Sequence, residues 1–105
     1  MKRSGLGYQT YRPFVERFLK ELKERFGENI LACALFGSVA RGEAKPESDI
    51  DLLVLHSEMN LSKKDALTHL LVEADQWEER RSLWDKAIYG ELATISRTEE
   101  ELSED

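Results

Sequence analysis

Apolar residues near the start of the chain recur at helical spacing. Phe14, Val15, Phe18, Leu19, Leu22 and Phe26 fall on one stripe, as expected of a helix packed against a sheet. Thr10 is placed to cap that helix and Gly27 to end it, while the polar residues 1–9, with Gly5 and Gly7, read as a loose lead-in. Ile30 to Phe36 carries no charge and lies between Gly27 and Gly37. A run apolar on both faces predicts a central strand covered on each side, with Cys33 buried in it as a small hydrophobe. The segment 43–48 is a turn by composition, its path restricted by Pro46. A second apolar strand follows through Val54.

Leu61 opens another helical pattern, with Ser62 as N-cap and Asp65 three residues on. Ala66, Leu67, Leu70, Leu71, Ala74 and Trp77 form its buried face, and the charged segment 78–81 is a solvated one. The pattern continues through Trp84 and Ile88, so its end is not fixed by periodicity. After Gly90, Leu92-Ala93-Thr94-Ile95 predicts a third strand. Thr98 with Glu101 predicts a last helical turn before an acidic end that frays. The pattern therefore predicts an α/β (α+β) fold, a small mixed sheet flanked by helices.

Composition narrows the function classes. A chain of 105 residues is the size of one domain, and the expectation is a single domain over residues 1–105. A net charge of −6 argues against a broad nucleic-acid surface, which needs clustered Lys and Arg. Cys33 is alone, so no intrachain disulfide can form, and a reducing compartment is the natural expectation. No apolar run approaches a membrane span, and the N-terminus lacks a signal-like apolar core, so a cytoplasmic protein is expected. His56 and His69 have no His or Cys at ligand spacing, which argues against zinc and leaves both as surface or partly packed side chains.

The chemistry concentrates between the first two strands. Asp49 and Asp51 open the second strand one residue apart, so they share a face while Ile50 and Leu52 share the other. Twice the strand rise puts their Cα atoms about 7 Å apart, near enough for the carboxylates to converge on a cation. Carboxylate oxygens suit Mg²⁺, which binds through one or two of them plus substrate phosphates. Asp is depleted in strands, and a local rule broken beside a glycine turn points to function. Gly37 lets the backbone approach an anion, and Ser38 offers a hydroxyl and an N–H at the start of a short helix. Arg41 has two readings, a charge-assisted phosphate donor or a surface ion pair with Glu43 or Glu47.

The run Gly37-Ser38-Val39-Ala40-Arg41-Gly42-Glu43 followed by Ser48-Asp49-Ile50-Asp51-Leu52 resembles the active-site pattern of the DNA polymerase β-like nucleotidyltransferases. It is most similar to the minimal nucleotidyltransferases, small proteins often paired with a helical partner of the HEPN type. The motifs cover about residues 30 to 55. The resemblance implies transfer of a nucleoside monophosphate, most often AMP from ATP, to a hydroxyl. Asp49 and Asp51 then hold Mg²⁺, with Gly37, Ser38 and Arg41 binding the nucleotide. It also implies a third carboxylate from a neighbouring strand, for which Glu91 is favoured over Asp85. A chain of this length leaves no room for an acceptor domain such as aminoglycoside modification needs, so the expected acceptor site comes from a partner or another copy of the chain. The rival reading is an inactive nucleotide-binding or partner-binding subunit.

Overall fold

The computed structural model describes residues 5–103. Helix α1 (Tyr8–Phe26) and a short 3-10 turn lead into strand β1 (Ile30–Phe36), which helix α2 (Gly37–Arg41) follows directly. Strand β2 (Ile50–His56), helices α3 (Leu61–Ala74) and α4 (Glu78–Asp85), strand β3 (Leu92–Thr98) and helix α5 (Glu99–Ser103) complete the order. The sheet is mixed, in the order β1-β2-β3, with β1 antiparallel and β3 parallel to β2.

The stripe of α1 is the centre of the core. Tyr11, Phe14, Val15, Phe18 and Leu22 are buried, and Leu19 and Phe26 pack against them in part. They meet Ile50, Leu52 and Val54 on one face of β2, joined by Leu67, Leu70 and Ala74 from α3. Arg17 ties α1 to α4 by an ion pair with Glu79 at 2.8 Å and lies over the ring of Trp77. Arg25 reaches Glu73 on α3. At their exposure such pairs contribute at most about 1 kcal/mol each, so apolar burial dominates.

Several expectations are corrected. The helix begins at Tyr8 rather than after Thr10, with Gly7 as its cap residue. Residues 5–9 are not a loose lead-in, because Leu6 exchanges backbone hydrogen bonds with Ala44 at 2.7 and 3.0 Å. A side chain at Gly5 would collide with the Glu43 backbone. The lead-in expected at 1–4 and the fraying expected at 104–105 lie outside the described residues.

Strand β1 is an edge strand, not the central one, and most of its residues are exposed, Cys33 among them. The central strand is β2. In α3 the cap is Asn60 rather than Ser62, its Oδ1 accepting the Lys63 N–H at 2.9 Å. The helical pattern breaks at residues 75–77, and a separate helix carries Leu83 to the core. The Ala66 side of α3 is exposed. The last turn forms as expected, Thr98 and Glu101 bonding reciprocally.

His56 is neither at the surface nor partly packed, but fully buried. Its Nδ1 lies 3.3 Å from Asn29 Nδ2 and its Nε2 lies 3.4 Å from Ser96 Oγ. Burial, and after it the charge of Lys63, pushes the imidazole pKa below its ordinary value.

Candidate active site

The end of β1 turns sharply into α2. Gly37 has φ of +75°, a conformation L side chains rarely adopt, and a Cβ there would lie 2.2 Å from Asp51 Oδ2. Glycine is therefore required twice, by the turn and by the carboxylate beside it. Val39 anchors the short helix in the core, and Gly42 ends it in the left-handed region. The Glu43 N–H donates to the Ser38 carbonyl at 2.8 Å, which folds the following loop back on the turn.

Asp51 stands opposite Phe36 on one side and Ala93 on the other. Alternation along β2 puts it on the face away from Ile50 and Leu52, the face that the helices leave open. Asp51 is half-buried and Asp49 exposed. Asp49 Oδ1 accepts the Glu91 N–H at 3.0 Å, and the Glu91 carbonyl accepts the Ile50 N–H at 2.8 Å. Among the described residues neither aspartate forms an ion pair, so Asp51 stands beside Gly37 without a neutralising side chain.

The structure thus brings Gly37 and Asp51 into contact and holds Asp49 one residue before β2. Arg41 is at the end of α2, its Nε donating to Glu43 Oε1 at 2.8 Å with both side chains largely exposed. Glu91 joins Asp49 through its backbone, but it lines a shallow cleft with Thr68, Leu71 and Asp75 beside α3. Asp85 lines another cleft, with Gln76, Arg81 and Ser82. Among the described residues no three acids, histidines or cysteines are grouped as a metal-binding set. The two-carboxylate pair still fits Mg²⁺, whose remaining ligands are ordinarily water and phosphate oxygen.

Sequence reasoning missed the clamp that holds Asp49. Tyr89 N–H donates to the Pro46 carbonyl at 2.8 Å, and a Cβ at Gly90 would lie 1.7 Å from the Ser48 carbonyl oxygen. The signal was Gly90 itself, a glycine required for close approach of two backbones rather than only for a turn.

The family model of the nucleotidyltransferase domain matches residues 15–103. The chain belongs to that family. Two curated relatives are similar over part of the chain. It is 44% identical over 50 residues to a Methanocaldococcus jannaschii protein named "Putative protein adenylyltransferase MJ1305", a match covering 48% of this chain and 33% of the relative. It is 57% identical over 35 residues to "Protein adenylyltransferase MntA" of Thermococcus cleftensis, covering 33% of each. These matches span about a third of each relative's length. No solved structure matches significantly. Among the described residues no helix is long and apolar enough to cross a membrane.

Proposed function

We propose that this nucleotidyltransferase domain transfers AMP from ATP to a hydroxyl on a protein, with Mg²⁺ held by Asp49 and Asp51. The observation that carries the reading is Asp51 on the open sheet face, beside a glycine that it permits no side chain, with Asp49 exposed two residues before it and no ion pair to either acid among the described residues. Structural acids at a strand start are usually paired or capping, and Asp51 is neither. The relatives' names, which specify protein adenylylation, support a protein acceptor.

Bound there, Mg²⁺ supplies charge neutralisation for the triphosphate. Gly37 and Ser38 seat the outgoing phosphates, and Arg41 assists when it exchanges Glu43 for phosphate oxygen. The acceptor oxygen bonds to the α-phosphorus as the bond to the bridging oxygen breaks. Pyrophosphate leaves and the hydroxyl proton passes to a carboxylate, the role left to Glu91. The acceptor in this reading is a helical HEPN-type partner for which the chain acts as antitoxin. Cytoplasmic location follows from that role.

A second reading, a nucleotide-binding or partner-binding subunit without chemistry, draws on the absence of a three-acid group among the described residues. Intact-mass analysis of the chain with Mg²⁺, ATP and the product of the neighbouring gene separates the two. AMP-sized additions to the partner, lost in the Asp49→Asn/Asp51→Asn variant, are expected. Mg²⁺-dependent nucleotide binding without any addition would favour the second reading, and no binding at all would remove the site.

A further inference from the structure

Arg80 is a buried cation inside the core of this domain. Only 2% of its surface is exposed, and its guanidinium lies 5.6 Å from the ring of Phe14 and 5.4 Å from that of Trp84. Taking a guanidinium out of water is costly and needs strong compensation. An ion pair supplies little of it, because Asp75 Oδ1 is 3.6 Å from Nε and that aspartate is largely exposed. At 3.6 Å there is no hydrogen bond, and Nε has no other partner. The short contact is with backbone: Nη1 donates to the Gly90 carbonyl at 2.7 Å.

That carbonyl belongs to the peptide whose N–H is Glu91's, and the Glu91 N–H donates to Asp49 Oδ1 at 3.0 Å. One planar unit therefore carries the Arg80 contact at one end and the Asp49 contact at the other. A cation on the carbonyl also polarises the amide, which strengthens the bond its N–H makes. The remaining bonds of the clamp leave the rotation of this unit open, since the Tyr89 and Gly90 N–H groups point to Pro46 and the Glu91 carbonyl to Ile50.

The geometry points to Arg80 as a positioning residue. By fixing the Gly90–Glu91 peptide from inside the core, it sets the donor that orients the Asp49 carboxylate. It touches no substrate. This inference rests on the proposed metal role of Asp49 only for its effect on transfer, and not for its effect on the peptide.

The test uses the full chain, ¹³C- and ¹⁵N-labelled, as wild type, Arg80→Lys and Arg80→Gln. In the wild type a slowly exchanging Arg80 Nη resonance coupled to the Gly90 carbonyl carbon is expected, and its absence overturns the inference without any variant. In Arg80→Lys, exchange of the Glu91 amide rises about tenfold while amides of the β1–β2 ladder stay within about twofold. Transfer then shows kcat down about tenfold with the nucleotide KM nearly unchanged, because the Gly37 turn is untouched.

A folded variant with unaltered Glu91 exchange overturns the proposal. So does faster exchange shared equally by all core amides, or collapse of both variants, either of which makes Arg80 a core residue only. If the wild type transfers nothing to any acceptor, the proposed function fails while the exchange comparison still decides the role of Arg80.

Discussion

The two faces of β2 are almost equally apolar in composition, yet they do different work. Ile50, Leu52, Val54 and His56 face the helices and are at most 1% exposed. Asp51, Leu53 and Leu55 face the other way and are only half-buried, with Leu53 between Ala34 and Ile95 of the neighbouring strands. The covered face concentrates the dehydrated contacts that stabilise the fold. The open face keeps its carboxylate in reach of solvent and ligand, and a metal or phosphate can approach it without displacing the core. The period of the strand separates the two sets, and a shift of one residue would bury Asp51 and expose Leu52.

Truncation on each face is the strongest way to break that comparison. Leu52→Ala should cost about 2–5 kcal/mol in urea-denaturation midpoint and slope, since it empties a packed site. Leu53→Ala, the same chemistry one residue on, should cost less than about 1.5 kcal/mol because its surroundings are already part solvent. Equal losses would mean that the open face is covered in solution.

How much of this was legible in the sequence depends on where each residue's partner comes from. The α1 stripe and the Gly37-to-Asp51 motif were legible, because helical spacing and a glycine turn followed by two acids one residue apart are visible in the chain itself, whatever they pack against. The exposure of β1 was not. An apolar heptapeptide run looks the same at the centre or the edge of a sheet, and strand order alone decides, here by placing β2 between β1 and β3. His56 was misjudged for a similar reason. Its alternation with Val54 placed it inward, but only Asn29 and Ser96, distant in the chain, provide the hydrogen bonds that make burial tolerable. The break at residues 75–77 was hidden because Trp77, Trp84 and Ile88 sustain the apolar spacing through it.

His56 gives the comparison a pH dependence. Its folded pKa is lowered by burial from an ordinary value of 6.5, so below about pH 6.5 the unfolded chain takes up the proton more readily than the folded one. The stabilisation is complete above that pH and is lost as pH falls towards the folded pKa. For one proton the slope cannot exceed about 1.4 kcal/mol per pH unit. Urea unfolding between pH 7.5 and 5 should show this decline, flattened in His56→Gln; these two pH limits are about one unit above and one and a half below the ordinary histidine value. A decline identical in the variant would assign it to carboxylates instead.

The smallest stability effect belongs to Arg41, where the two faces of the argument separate most sharply. Its bond to Glu43 joins side chains that are 62% and 64% exposed, and such pairs contribute about 0–1 kcal/mol. Arg41→Gln should therefore leave the unfolding free energy within about 0.5 kcal/mol of wild type. The proposed phosphate contact predicts something larger for ATP. A charge-assisted bond of ~1.5–3 kcal/mol corresponds to a nucleotide affinity lowered about tenfold or more. Calorimetric titration with ATP and Mg²⁺, beside thermal unfolding of the same samples, measures both quantities. Weaker binding at unchanged stability would place Arg41 in the nucleotide site, since a surface pair has no means of producing it. Unchanged binding would leave the guanidinium with Glu43, and would confine the anion-binding part of the open face to the Gly37 turn.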